Sequence, residues 1–254
     1  MPKAARKSPL EQKQNFRNVL EMVRGGFFLR KKPLDRSDSP YTYSAFAIKQ
    51  NFPKHDPMRI AVLLGSVRSE RMGLRVARYV MDRLRERGHR PVLVDAAELN
   101  LPLLDQMYKE LKGKVPPAQK PLQAKLKKLA RLYAQTDGFV IVSAEYNHSA
   151  PPALTNLLDY FLEEYFFRPS AIVCYSAGQF GGVRAAMQLR ALLAEVGMPS
   201  VPSLLPIANV QEALSEDGKG LTRQLAEGQP KFFDEFEWYM RAFKAERARG
   251  PLPY

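Results

Sequence analysis

Arg59-Ile60-Ala61-Val62-Leu63-Leu64 runs straight into Gly65-Ser66-Val67-Arg68-Ser69-Glu70-Arg71, and a helix-patterned stretch follows. Six nearly continuous apolar residues suit a strand buried on both faces of a parallel sheet. A helix that follows such a strand carries unpaired backbone N–H groups and a positive dipole end to the sheet's carboxyl edge. Ligands dock at that edge, and helix N-termini favour phosphate. Ser66 adds a hydroxyl donor, while Arg68 and Arg71 add guanidinium forks suited to a phosphate dianion. The turn reads as a phosphate cradle. Taken alone, it is equally compatible with an α/β turn that holds no ligand. It is not a Walker A loop, because no Gly-Lys-Ser/Thr follows, nor a three-glycine dinucleotide fingerprint, because Val67 and Arg68 come next.

Outward from the turn, strand and helix patterns alternate. Val76, Val80 and Leu84 recur at helical spacing and predict a helix over about 71–87, with Gly88 as its stop. Pro91-Val92-Leu93-Val94-Asp95 reads as a second strand. A proline-bearing polar loop leads to a helix over about 122–135, and Phe139-Val140-Ile141-Val142 is the third strand. The next helix begins near Pro152, where proline is tolerated in a first turn. Ala171–Tyr175 is the fourth strand, followed by a helix over about 182–196. Pro199-Ser200-Val201-Pro202 opens a last short strand, and about 219–247 is helical in pattern. This alternation predicts right-handed crossovers and a parallel sheet covered on both faces. The expected fold is α/β: a flavodoxin-like three-layer sandwich around a five-stranded parallel sheet, spanning 58–250.

Residues 1–57 lack that rhythm and are expected to form a basic, partly disordered extension, with one helix between Leu10 and Phe28. Its basic start is followed by no continuous apolar segment, so a cleavable secretory signal fits poorly. The whole chain has 254 residues, 45% apolar content and a formal net charge of +13. The basic excess is spread along helical stretches such as Arg83, Arg85 and Arg87, and no nucleic-acid motif accompanies it, so it reads as solvated helix faces. No run of about eighteen apolar residues exists, so a membrane span is not expected. The lone Cys174 lies in an apolar run and reads as a buried inert thiol. His55, His89 and His148 have no ligand spacing, so no metal site is expected.

Two more loops follow strands. Ser143-Ala144-Glu145-Tyr146-Asn147-His148-Ser149-Ala150-Pro151-Pro152 comes after the third, and Ser176-Ala177-Gly178-Gln179-Phe180-Gly181-Gly182-Val183-Arg184 after the fourth. In a parallel sheet both meet the opening turn at one edge. A phosphate cradle, a polar aromatic turn and a glycine platform together suit a phosphorylated planar ring system. Singly, Tyr146 also reads as a core cover, Asn147 as a helix cap, and Gly181 and Gly182 as a close helix start.

Together, GSVRSER, AEYNHSAPPALTNLLDYF and YSAGQFGGVRAAMQLR resemble the signature segments of the NADPH-dependent FMN reductase family, over about residues 58–214. The resemblance implies a flavodoxin-like fold, bound FMN, NADPH or NADH as co-substrate, and a homodimer or homotetramer acting in the cytoplasm. It assigns Gly65, Ser66, Arg68 and Arg71 to the FMN phosphate, and Glu145, Tyr146, Asn147 and His148 to the ribityl chain and ring. It sets Ser176, Ala177, Gly178, Gly181 and Gly182 beside the ring's pyrimidine edge. Arg71 and Gly73 stand where the family often has Ser and Asn, which shifts phosphate binding toward guanidinium. His148 stands where the family has glycine, and a positive φ there would strain it. The implied activity is ping-pong reduction of quinones, free flavin or similar small acceptors, with no catalytic protein side chain and no metal. The rival is a flavin-binding redox sensor or partner-docking module, supported by the N-terminal extension and the long C-terminal helix, whose aromatic stripe Phe232, Phe236, Tyr239 and Phe243 reads as core or subunit interface rather than a partner site.

Overall fold

Five apolar runs pair as five parallel strands because each is uncharged enough to be covered by helices on both sides. The computed structural model describes residues 56–253, so the extension expected over 1–57 and its helix lie almost wholly outside the described residues. The strands are β1 (Arg59–Leu64), β2 (Arg90–Asp95), β3 (Gly138–Ala144), β4 (Ser170–Tyr175) and β5 (Ser200–Ile207), in the order β2-β1-β3-β4-β5. Every pairing is parallel, as the alternation predicts. Leu64 lies opposite both Asp95 and Val142, and Tyr175 lies between Ala144 and Ile207, so the carboxyl ends form one edge.

The helices are α1 (Gly73–Glu86), α2 (Ala96–Leu99), α3 (Lys120–Ala134), α4 (Pro152–Asp159), α5 (Val183–Glu195), α6 (Val210–Ala213) and α7 (Arg223–Arg247). Side chains alternate across a strand. Ile60, Val62 and Leu64 therefore pack with α1 and α7, while Ala61 and Leu63 face α3, α4 and α5. The result is the expected three-layer α/β sandwich.

Three boundaries differ from the sequence reading. α1 starts at Gly73 rather than near 71, because the Arg71 side chain is drawn to Asp95 on β2. β5 runs eight residues, and it holds Pro202 and Pro206 because an edge strand leaves one side of its ladder unpaired. α7 starts at Arg223, capped by Thr222, whose Oγ1 accepts from the Leu225 N–H. Phe232 and Phe236 of the aromatic stripe are buried in the core with Phe233 and Met240, in line with the core reading of that stripe.

Cys174 is buried, and burial pushes its thiol up to about 12, the behaviour of an inert core thiol. Among the described residues no helix is long and apolar enough to cross a membrane, and no three His, Cys, Asp or Glu gather as a metal site.

Candidate functional site

The three loops singled out in the sequence meet at the carboxyl edge around a cleft of about 400 Å³. Ser66, Arg68 and Arg71 line one side, Glu145 and Tyr146 another, and Ser176 and Ala177 a third. Ligand pockets usually measure about 300–1,000 Å³, so the space is adequate for a cofactor. A second cleft of about 620 Å³ shares Tyr146 with the first and is lined by Val67, Leu101, Leu103 and Asn156.

The α1 start opens on the first cleft. No side chain caps it, its first turn holds no acidic residue, and Met72 at the cap position lines the cleft. Four helix N–H groups thus lack an intrahelical partner at the point where the dipole is positive. Ser66 is buried, and its Oγ lies 2.7 Å from the Tyr146 Oη. Arg68 is exposed and makes no ion pair among the described residues, so its guanidinium is available to an anion. Arg71 is differently placed. Its two terminal nitrogens reach the Asp95 carboxylate at 2.5 and 2.6 Å, and Nη1 also donates to the Ser66 carbonyl at 2.8 Å. Those bonds to Asp95 raise its pKa against the desolvation that lowers it. Asp95 is fully buried and also accepts from the Ala97 N–H, so Arg71 neutralises it while bracing the turn.

After β3, Tyr146 and Ser149 exchange two backbone hydrogen bonds of 2.9 Å around Asn147 (φ 49°) and His148 (φ 66°). Positive φ at both central residues is the pattern of a type I′ turn, which asparagine tolerates well. Asn147 therefore shapes the turn; α4 begins at Pro151 and Pro152 with no side-chain cap. His148 does sit at positive φ, the condition under which strain was expected there. It is held there by α5: its Nε2 accepts from Arg184 Nη1 at 2.7 Å, and its carbonyl accepts from Gln188 Nε2 at 3.1 Å. Accepting that bond requires the neutral imidazole.

Glu145 turns toward α5. Its carboxylate accepts from the Arg184 and Ala185 N–H groups at 3.1 and 3.4 Å and pairs with the Arg184 guanidinium at 2.8 Å. Arg184 in turn lies over the exposed Phe180 ring, 4.4 Å from its centroid. α5 starts close to the sheet: Gly182 has φ +79°, and a Cβ there would meet the Tyr175 backbone at 2.8 Å. Ser176 Oγ donates to the Gly178 carbonyl, and Ala177 and Gly178 are tied to Gln211 and Asn209.

Two residues at this edge were not singled out in the sequence. Asp95 was visible only as an acid ending a strand. Tyr175 was read as part of a strand, yet it lines the floor of the cleft.

A family model described as NADPH-dependent FMN reductase matches residues 58–212. The chain is 30% identical over 169 residues to the NAD(P)H-dependent FMN reductase ntnL of a Nectria species, covering 64% of this chain and 82% of that one. It is 29% identical over 191 residues to an NADPH azoreductase of a Bacillus species, covering 74% and 95%. Its fold is similar to that of FerB, a flavoenzyme NAD(P)H:(acceptor) oxidoreductase from Paracoccus denitrificans, with a TM-score of 0.58 at 21% identity over 73% of this chain and 98% of that one. The expected resemblance, fold and cofactor class agree with these matches, and the chain belongs to the NADPH-dependent FMN reductase family.

Proposed function

We propose that the first cleft holds FMN with its phosphate at the α1 start, and that the protein uses it to pass reducing equivalents from NAD(P)H to quinones, azo compounds or free flavin. The single observation that carries this reading is the open α1 start beside the unpaired Arg68. Phosphate binds where helix N–H groups, dipole and a guanidinium converge. FMN, when bound, supplies the hydride chemistry between donor and acceptor.

This chain's own residues orient and enclose. Gly65 and Ser66 shape the cradle, Arg68 supplies an exposed positive fork, and Arg71 holds the turn through Asp95. Tyr146 walls the cleft, Asn147 and His148 fix the turn behind it, and Glu145 locks α5. The loop Ser176, Ala177 and Gly178, with Gly181 and Gly182 behind it, forms the far rim. NADPH and the acceptor react in alternation with the FMN held by these residues, so parallel initial-velocity lines are expected. The chain is proposed to act in the cytoplasm as a homodimer or homotetramer, a state that sedimentation equilibrium reads directly. The second cleft at Val67 and Tyr146 offers apolar room for an acceptor ring.

Reconstitution tests the reading. The purified chain mixed with FMN should turn yellow, retain one flavin per chain through desalting, lose its absorbance to NADPH under anaerobic conditions, and turn over with added quinone. Failure to retain FMN would sink it. Retention without turnover would favour the redox-sensing module, which the enzyme relatives do not support.

A further inference from the structure

Tyr175 ends β4 inside the body, only 4% exposed, and its hydroxyl lies beside the Ser66 hydroxyl without a well-formed hydrogen bond among the described residues. A buried hydroxyl left unpaired costs free energy and calls for an explanation. The Tyr133 and Tyr165 hydroxyls are also unpaired but lie in the core, whereas Tyr175 lines the cleft. Burial also pushes its pKa up to about 12, so the hydroxyl keeps its proton at neutral pH. Its position is defined by what crowds it. A Cβ on Gly73, the first residue of α1, would lie 2.5 Å from the Tyr175 Oη. The ring thus reaches from β4 beneath β3 to the open helix start, among Ser66, Arg71 and Tyr146.

Only glycine fits at position 73, because the tyrosine hydroxyl occupies the space of a side chain there. Arg71 is committed to Asp95, so the cradle lacks one side-chain donor. We propose that Tyr175 supplies that donor from below, hydrogen-bonding a phosphate oxygen of FMN at the α1 start. The inference rests on the FMN assignment above and adds a phosphate ligand from a strand.

The test is Tyr175→Phe, read by fluorescence titration with FMN and with riboflavin, which lacks the phosphate. A hydrogen bond to a charged group predicts that FMN binding weakens about ten- to a hundredfold while riboflavin binding is unchanged. The Tm of the apoprotein should hold or rise, since phenylalanine removes an unpaired buried hydroxyl at constant shape. The 31P resonance of bound FMN should also move between wild type and variant. Equal weakening of FMN and riboflavin, or no change in either, overturns the role of Tyr175 and leaves the FMN assignment standing. A variant that loses apoprotein stability makes Tyr175 structural and likewise overturns the proposal. A wild-type chain that binds riboflavin and FMN equally removes the phosphate site itself, and one that binds neither removes the FMN assignment with it.

Discussion

α1 and α5 both begin at the carboxyl edge of the sheet, both behind or on a glycine, and both present a positive dipole end. They differ in what meets that end. At α5 the Glu145 carboxylate accepts from the first-turn N–H groups and pairs with Arg184, so the helix start is closed by the protein itself. At α1 no side chain caps the start, no acid lies in the first turn, and Arg68 makes no ion pair among the described residues. The same backbone feature serves packing in one place and ligand binding in the other. Loop charge makes the difference: a glutamate after β3 is fixed against α5, while the buried Asp95 beside the turn is already neutralised by Arg71.

The largest effect should come from removing that neutralisation. Arg71→Ala leaves a fully buried carboxylate without its partner, and such losses cost about 3–5 kcal/mol. Chemical denaturation of the apoprotein should show the drop, and Arg71→Ala with Asp95→Asn should recover part of it. An apoprotein as stable as wild type would mean that Arg71 is free for the ligand. Closing α1 in the manner of α5 comes next. Met72→Asp should bind FMN about a hundredfold more weakly than the neutral control Met72→Asn, by charge repulsion across a few ångströms, with riboflavin affinity equal in the two. Equal FMN affinity would place the phosphate elsewhere.

Opening α5 is the converse experiment. Glu145→Gln removes a charged cap, and about 1–2 kcal/mol of stability should go with it. A larger loss of FMN than of stability would mark Glu145 as a ligand contact instead. Arg68→Ala should weaken FMN about tenfold, flatten the salt dependence of binding, and leave the apoprotein Tm unchanged. The smallest effect is alkaline. Tyr175 has its folded pKa raised above the unfolded value, so its contribution is whole below about pH 10 and is lost as pH rises through about 12. Tyr175→Phe should therefore lose less stability than wild type across that window, in pH-dependent urea melts.

The sequence carried most of the fold, because strand and helix periods are local and the apolar runs of β1, β3 and β4 are short and unambiguous. It also carried the loops, since parallel strands must bring their carboxyl ends together. What it could not carry were pairings across the edge. Arg71 and Asp95 are 24 residues apart, and Glu145 and Arg184 are 39 apart. Arg68 and Arg71 look alike in a turn, and only the neighbouring strand distinguishes the free one from the one already engaged. Tyr175 looked like core because its neighbours are core. Asn147 read as a ligand contact or a helix cap, and its part in shaping the turn emerged only with the two backbone bonds between Tyr146 and Ser149.

By itself the sequence determined that a parallel α/β sheet would gather a hydroxyl, two arginines and a glycine-rich loop at one edge, because period and polarity follow from residues near in the chain. Only the tertiary structure decided which helix start stays open, which arginine stays free, and that a strand tyrosine rises beneath the turn. Those outcomes depend on partners many residues away, brought within hydrogen-bond distance only when β1, β2, β3 and β4 lie side by side.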